Sequence, residues 1–492
     1  MAQGAPDPKH PNVILISTDQ HRGDTLGIAG HPCVYTPGLD AMAMTGHYFP
    51  RAVAEAPSCV ASRRCLFSGQ IPFHHGMIGF NDMLPWNEPD TLCRCFQRGG
   101  YKTYSVGKRH VYPQDDPKGF DKILTHEEAR FLSPGYRDDY LEWLKEQGWG
   151  EFGLFNAGVT NNAYTSRPCV FPEKYHVTTW TATKVIEVME EHVAKHGRER
   201  PFFLYASFSK PHPPWDPPEF FYNRYVNDPD LPAPVVGDPA KYAARDAEYR
   251  LRMRGPIPEA EYLKLSPKDV RRARAGYYGC IEHMDAQITR FFYHLWRMLR
   301  IRNTILAFVS DHGDMLGDHH RWAKCVGYEG SIRVPFILNF PATMNIPIGR
   351  RYPEVTVALQ DMMPTLLDAC SLPVPSKVDG VSLMPLVRGE VERLDRDHVH
   401  GEHLQYGHFL VNHREKFIWH YRTDTLEYYD LRKDPCERRN LYSKGNQRAQ
   451  ALHRQLKELL MKQGRVGDFM EKRELCSEKA RQFKFEPPPY AA

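Results

Sequence analysis

The sequence lacks several features that would point to particular classes of protein. It has no hydrophobic run long enough to cross a membrane, and its first ten residues contain no apolar core of a secretory leader. Its 64 lysines and arginines nearly balance its 60 aspartates and glutamates, which argues against a nucleic-acid partner. Its eleven cysteines are an odd number without framework spacing. We therefore expect a cytoplasmic protein with mostly reduced thiols that binds neither nucleic acid nor a membrane.

Four short apolar runs indicate strands that are buried on both faces of a sheet. These runs cover residues 12–17, 201–208, 304–310 and 334–340. Helical spacing lies between them at 177–195 and at 266–299, where Ser266 and Pro267 form a capping signal. Strands that alternate with helices predict an α/β fold, with a large and mostly parallel sheet flanked by helices.

The pattern changes near residue 395. Closely spaced short strands at 407–412, 415–421 and 426–431 predict a small antiparallel sheet, and a helix is expected over about 446–464. We therefore divide the chain into a large N-terminal domain, residues 1–394, and a smaller C-terminal α+β domain, residues 395–492.

Polar side chains follow four of the core strands, where an open α/β sheet places its chemistry. They are Asp19 and Gln20, Lys108 and His110, His212, and Asp311 and His312. Taken alone, Asp19 and Gln20 would suit a capping turn, and Asp311 would suit an ordinary Asp/Gly turn. Four independent strand ends with this chemistry are hard to explain as loop composition.

Asp19, Gln20, Asp311 and His312 suggest a site for one divalent metal ion. Carboxylate and amide oxygens suit Ca²⁺, Mg²⁺ or Mn²⁺, and the imidazole shifts the balance somewhat toward Mn²⁺. We expect Ca²⁺, with Mn²⁺ and Mg²⁺ as alternatives. Two carboxylates would neutralise the dication, so the nearby cationic side chains would remain for an anionic substrate.

Cys59 and Arg63 are four residues apart, so a helix that begins at Cys59 places both on one face of its first turn. Residue 59 then lies where backbone N–H groups favour negative charge, which suits a nucleophile that must hold an anion. An isolated Cys-x-x-x-Arg would more often be a buried thiol near a surface arginine. Here the other polar segments fit the same site.

The Cys59-Val-Ala-Ser-Arg63 core, followed by Leu66-Phe-Ser-Gly69, resembles the signature of the type I, formylglycine-dependent sulfatases of the alkaline phosphatase superfamily. Further segments are similar to motifs of that family along most of the chain: residues 11–24, 107–110, 210–214, 310–319 with Lys324, and 429–441. The resemblance implies an alkaline phosphatase-like fold and a sulfuric ester hydrolase. It also implies that Cys59 is oxidised to formylglycine, whose hydrate is the nucleophile.

The resemblance assigns roles by position. The hydrate at Cys59 would attack sulfur and also ligate the metal, and Arg63 would support the hydrate. Lys108 and Lys324 would hold sulfate oxygens, as preorganised positive charge on developing oxyanions.

The histidines are assigned in the same way. His212 would protonate or stabilise the leaving alcohol. His110 would contact the hydrate and help to break down the covalent sulfate hemiacetal. His403 could reach the pocket from the second domain, although a packing role explains it equally well.

Three residues depart from the commonest pattern of the family. Ala61 replaces the usual proline, which resembles the variant that radical-type maturases modify. Gln20 replaces a frequent aspartate, and His312 stands where many members have asparagine. Aspartate followed by histidine also occurs in choline sulfatases, some glycan sulfatases and phosphonate monoester hydrolases.

We expect hydrolysis of a small-molecule or oligosaccharide sulfate ester. The alternative on the same scaffold is a phosphonate monoester or phosphodiester hydrolase, but those enzymes usually lack a pair such as Lys108 and His110. A non-catalytic anion- or glycan-binding protein would have no need for a nucleophile. The sequence leaves open which sulfated compound is the substrate and whether the chain forms an oligomer.

Overall fold

The computed structural model describes residues 10–128, 130–150, 153, 155–159, 163–236, 265–403, 407–420 and 425–464. In this part of the chain, none of the helices combines the length and the apolar character that crossing a membrane requires.

The core of the molecule is an eight-stranded sheet, with a three-stranded sheet beside it. The strands of the two sheets are β1 (Asn12–Thr18), β2 (His47–Tyr48), β3 (Ala52–Val53), β4 (Lys102–Gly107), β5 (Lys122–Thr125), β6 (Phe202–Phe208), β7 (Thr304–Ser310), β8 (Arg333–Val334), β9 (Phe336–Asn339), β10 (Arg350–Arg351) and β11 (Val357–Ala358). The order in the large sheet is β10-β2-β9-β7-β1-β6-β4-β5. Its five strands from β7 to β5 are parallel, which confirms the mostly parallel sheet.

The apolar run at 334–340 does not form one strand of the parallel array. Its first residue, Val334, belongs to β8 in the small sheet, and β9 runs antiparallel to its neighbours β7 and β2. Pro335 lies between the two strands and has no backbone N–H for a ladder, so the run is divided there.

Helices cover both faces of the large sheet. They are α1 (Pro37–Thr45), α2 (Cys59–Ser68), α3 (Pro72–His75), α4 (Leu92–Arg98), α5 (Asp139–Glu146), α6 (Val177–His196), α7 (Glu219–Val226), α8 (Pro267–Tyr293), α9 (Glu329–Ile332), α10 (Met362–Ala369), α11 (Met384–Val387) and α12 (Gln447–Lys462). As the sequence predicts, α8 begins after Ser266, whose hydroxyl accepts the backbone N–H of Asp269 in a capping box.

Successive side chains of β1 point into two different cores, as the pleat of a strand requires. Val13 and Leu15 pack in the cluster that includes residues of α2, α4 and α10. Ile14 and Ile16 pack in the cluster that includes residues of α1, α6 and α8. The continuous apolar run therefore reflects burial on both faces.

The C-terminal sheet contains β12 (Val399–His403), β13 (Gly407–Val411), β14 (Glu415–His420) and β15 (Thr425–Asp430), paired antiparallel in that order. Phe409 and Ile418 on one face pack with Tyr328 of the core, while Phe417 and Trp419 on the other face pack against α12. The predicted antiparallel sheet and terminal helix are confirmed. The strand β12 was missed, because Val-His-Gly-Glu-His has only one strongly apolar residue.

Candidate active site

The carboxyl ends of the central parallel strands lie at one level. Thr18 at the end of β1 pairs with Phe208 of β6 and with Ser310 of β7, and Gly107 of β4 pairs with Ser207. The residues that follow these strands therefore meet at one edge of the sheet, where the sequence places them.

The helix α2 begins at Cys59, after an extended backbone at Ser58. The Sγ of Cys59 lies 3.1 Å from Nε2 of His312 and 3.7 Å from Oδ1 of Asp19. Burial raises the pKa of the thiol, but the nearby positive charges outweigh burial and hold the pKa well below its ordinary value. The site therefore stabilises an anion at residue 59.

Asp19, Cys59, Asp311 and His312 form a compact group of possible metal ligands. One donor atom from each lies within 4.8 Å of the donors of the other three, and all four residues are buried. The Nδ1 of His312 is 2.9 Å from the carbonyl oxygen of Gly313, so Nδ1–H donates there and the lone pair of Nε2 faces the group.

The electrostatics of this group favour a cation. Burial and the neighbouring Asp19 carboxylate together raise the pKa of Asp311 to about 6, although His312 and Arg63 oppose this shift. The buried carboxylates of Asp19 and Asp311, whose donor oxygens lie within 4.8 Å of each other, repel each other unless positive charge lies between or beside them. Two carboxylates, an imidazole and residue 59 therefore fit one divalent metal ion.

Gln20 lies next to this group in a left-handed backbone conformation, with φ of 71°. Its backbone N–H donates to Oδ1 of Asp311 at 3.0 Å. Its side-chain amide donates to Asp314, and its amide oxygen accepts from Nζ of Lys324 at 2.6 Å. Gln20 thus connects the metal-ligand group to Lys324, and its direct ligation of a metal stays a prediction.

Arg63 is buried and holds the ends of four strands together, β1, β4, β6 and β7. Its Nε donates to Asp311 at 3.0 Å, and its Nη2 donates to Asp19 at 3.2 Å. Its Nη1 lies within hydrogen-bond distance of the Lys108 carbonyl, the Tyr205 hydroxyl and the Ser207 hydroxyl. The guanidinium therefore positions both carboxylates, and its own orientation is fixed by these contacts.

Two lysines supply further positive charge. Nζ of Lys108 lies 2.5 Å from Oδ2 of Asp19 and 2.7 Å from Oε2 of Glu128. Burial and Arg130 lower the pKa of Lys108, but the two carboxylates outweigh them and the pKa is raised. Burial also lowers the pKa of Lys324, while Cys59 and Asp19 raise it above its ordinary value. Both lysines are therefore cations in the site.

His212 is buried and neutral at rest. Its Nδ1–H donates to the Pro213 carbonyl at 2.8 Å, and Oε1 of Glu128 lies 3.4 Å from the same nitrogen. Burial lowers its pKa to about 3, although Glu128 opposes this shift. Lys210 and Asp216, paired at 2.5 Å, hold the loop that carries it.

The imidazole of His110 lies against Asp82, with Nε2 2.5 Å from Oδ1 of the carboxylate. The structure gives no contact between His110 and Cys59. Side-chain contacts nevertheless connect the pair to the site: Arg130 lies 3.6 Å from Asp82 and 2.8 Å from Glu128, and Glu128 pairs with Lys108. His403 is buried too, where burial and then the charge of His312 lower its pKa to about 3.

Sequence reasoning missed Asp82, Glu128 and Arg130. Glu128 pairs with Lys108 and with Nη1 of Arg130, at 2.7 and 2.8 Å. Glu128 and Arg130 follow β5 (Lys122–Thr125), which is also a parallel strand, so the strand-end rule could have found both of them. Asp82 lies in a loop without periodicity, and no signal in the sequence indicates it.

A buried cysteine at a helix N-terminus, surrounded by paired carboxylates and cations, is the arrangement expected in a hydrolase of anionic esters. The family model described as sulfatase matches residues 11–372, and the model described as N-sulphoglucosamine sulphohydrolase, C-terminal, matches residues 317–465. The chain therefore belongs to the sulfatase family, and it is a sulfuric ester hydrolase.

Individual relatives agree with this assignment. An arylsulfatase of Clostridium perfringens is 38% identical over 445 residues, which cover 88% of this chain and 90% of the relative. An N-acetylglucosamine-6-O-sulfatase of Bacteroides thetaiotaomicron is 25% identical over 481 residues, covering 89% and 83%. The structure of a phosphonate monoester hydrolase of Agrobacterium radiobacter superposes with a TM-score of 0.77 at 24% identity, covering 92% of this chain and 96% of that chain. This last likeness shows the fold alone.

Proposed function

We propose that the protein cleaves a sulfate monoester of a carbohydrate or another small organic alcohol, with formylglycine hydrate at residue 59 as the nucleophile. The position of Cys59 carries this proposal: it begins α2 and lies 3.1 Å from His312 within the group of metal ligands. Two relatives named as an arylsulfatase and an N-acetylglucosamine-6-O-sulfatase support the substrate class.

One divalent metal ion, with Ca²⁺ favoured, would be held by Asp19, Gln20, Asp311, His312 and residue 59. When bound, it would supply positive charge that lowers the pKa of a neighbouring hydroxyl and orients it. The buried carboxylates and the tautomer of His312 support this assignment.

The first chemical step follows from the charged groups. A hydroxyl oxygen of the hydrate at residue 59 forms a bond to sulfur, and the bond from sulfur to the alcohol oxygen breaks. Lys108 and Lys324 stabilise the charge on the sulfate oxygens in place of the carboxylates and the amide that they contact in the absence of substrate.

His212 serves the leaving alcohol. Its imidazole is neutral at rest because burial lowers its pKa to about 3. The negative charge of a bound sulfate ester would raise this pKa, as an opposite charge nearby does, so that the ring can take up a proton and deliver it to the alcohol. His110 then takes a proton from the covalent sulfate hemiacetal, which regenerates the aldehyde.

We also propose that a radical-type maturase supplies the oxidation of Cys59, because Ala61 stands in the motif. A cytoplasmic location is proposed with it. None of the cysteines in the described part of the chain forms a disulfide, which agrees with a reducing compartment. Titration of thiols in the denatured protein should find them mostly reduced.

A substrate panel tests the proposal. Matured protein should hydrolyse aryl, sugar or choline sulfates with a higher kcat/KM than phosphate diesters and phosphonate monoesters. A sulfate monoester presents three non-bridging oxygens to the lysines and the metal, whereas a diester presents two and carries a second organic arm that needs space. Preference for diesters or phosphonates would instead establish the alternative function on this scaffold.

A further inference from the structure

Asp82 and His110 form a buried pair that Arg130 and Glu128 connect to Lys108 of the candidate site. Oδ1 of Asp82 lies 2.5 Å from Nε2 of His110, and their side chains are 8% and 3% exposed. The two residues are 28 positions apart and belong to different loops. Such burial is costly for both groups unless each is paired, so the contact is a built feature of the site.

The backbone and a neighbouring ring fix the orientation of His110. Its backbone adopts the left-handed region, with φ of 56°. The backbone N–H of His110 donates to both carboxylate oxygens of Glu127, at 3.0 and 3.1 Å. The ring of Phe80 packs edge-on against the imidazole, with 5.9 Å between centroids. Rotation of the imidazole away from Asp82 would break this arrangement.

Asp82 is held as an anion. Burial raises the pKa of its carboxyl, but His110 and Arg130 outweigh burial and hold the pKa below its ordinary value. Nε of Arg130 lies 3.6 Å from Oδ2 of Asp82. An anionic Asp82 can only accept hydrogen bonds, so Nε2 of His110 must carry its proton.

In the neutral imidazole, the other nitrogen of His110, Nδ1, then carries the lone pair. Nδ1 is buried and has no hydrogen-bond partner among the residues that the structure describes. A buried imidazole nitrogen without a partner costs free energy unless a bound group completes it.

We propose that Asp82 is a positioning residue that keeps Nε2 of His110 protonated, so that Nδ1 accepts the proton that regenerates the aldehyde at residue 59. This inference rests on the proposed function. In this step Nδ1 takes the proton of the remaining hydroxyl of the sulfated hemiacetal, and the electrons of that O–H bond form the C=O bond. The carbon–oxygen bond to sulfate breaks, and sulfate departs with the bonding pair.

The test separates the two chemical steps in Asp82→Asn, which preserves the shape of the side chain but removes its charge. Asp82→Ala is the second variant. The matched control is Asp379→Asn, because Asp379 also pairs with a histidine, His74, at 2.8 Å but at a partly exposed position. Rapid-quench kinetics with an aryl sulfate measure the first release of alcohol and the steady-state rate. Mass spectrometry measures the sulfuryl group on residue 59.

We expect Asp82→Asn to release the first alcohol at close to the wild-type rate and then to turn over about 100-fold more slowly, the lower end of what a general base contributes. Sulfated enzyme should accumulate in this variant and not in Asp379→Asn. The inference would be overturned if Asp82→Asn turned over at the wild-type rate without accumulating sulfated enzyme. It would also be overturned if the variant slowed both steps equally. A wild-type enzyme without sulfatase activity would instead overturn the proposed function, and the inference with it.

Discussion

Cys59 and His312 are separated by 253 positions in the sequence, yet Sγ of Cys59 lies 3.1 Å from Nε2 of His312. Cys59 begins α2, and His312 follows β7, the strand next to β1 in the large sheet. The contact shows how the fold builds the site: a helix N-terminus is placed over the carboxyl ends of the parallel strands. It is also the reason that residue 59 can act both as nucleophile and as a metal ligand in the proposed mechanism.

Replacement of Asp311 by asparagine should remove the metal. The substitution deletes one of two carboxylate charges from a pocket that already contains Arg63, so a dication loses much of its electrostatic stabilisation. Metal analysis after extensive dialysis should find about one Ca²⁺ per wild-type chain and far less in the variant. Added Ca²⁺ should raise the Tm of the wild type alone.

Asp285→Asn is the matched control for that measurement. Asp285 is a buried aspartate that accepts the N–H groups of Gly38 and Leu39 at the start of α1. Its replacement should lower stability without lowering metal content. Retention of stoichiometric metal by Asp311→Asn would show that the ligand assignment is wrong.

Lys108→Ala should lose on the order of 2–4 kcal/mol of transition-state stabilisation, which corresponds to a decrease in kcat/KM of about 30-fold to 1,000-fold. The variant removes a charge that lies on a strand end next to Asp19 and Glu128. Steady-state kinetics with a sulfate ester measure this decrease.

Lys118→Ala separates catalysis from stability. Lys118 is also a buried lysine. Its Nζ lies 2.6 Å from Oδ2 of Asp116, and it is not one of the candidate site residues. Its loss should reduce the free energy of unfolding but leave kcat/KM close to that of the wild type. If Lys108→Ala folds and hydrolyses sulfate esters at the wild-type rate, Lys108 does not hold the sulfate.

Acid should weaken the attachment of α12 to the C-terminal sheet. Burial raises the pKa of Glu415, but hydrogen bonds from His398, Arg448 and Tyr428 outweigh it and lower the pKa to about 2. The folded-state pKa lies below the unfolded value, so the stabilisation is present above about pH 4.3 and is lost as the pH falls toward 2.

The comparison of Glu415→Gln with the wild type measures this contribution. The difference in Tm between the two should be constant above about pH 5 and should shrink between about pH 4 and 2. Arg448→Gln removes the partner whose Nε lies 3.0 Å from Oε1 of Glu415, and it should show a similar profile. A Tm difference that does not change with pH would contradict the assignment.

The sequence was sufficient to predict the elements with a clear pattern. The apolar runs of β1, β6 and β7 and the capping signal of α8 agree with the structure within one or two residues at most ends. The strand-end rule brought Asp19, His212 and Asp311 to one edge of the sheet. These predictions succeeded because burial on both faces and the direction of parallel strands constrain the pattern strongly.

The residues that escaped prediction lack such a constraint. Asp82 and His110 meet through two irregular loops, and the left-handed backbone of His110 and Glu128 gives no periodic signal in the sequence. The strand β12 carries more polar than apolar side chains, and its Glu402 and His403 are nevertheless buried, with Glu402 lying 3.8 Å from Nδ1 of His408. Long-range polar contacts of this kind depend on the assembled fold, and local patterns do not encode them.

The mass of the peptide that contains residue 59 tests the central claim most directly. The protein should be purified from a host with a radical-type maturase, and its sulfatase activity should be measured on the same sample. We predict the mass loss expected when the thiol of Cys59 is converted to an aldehyde, with activity proportional to the converted fraction. Full activity in protein whose residue 59 is entirely unmodified cysteine would contradict the account.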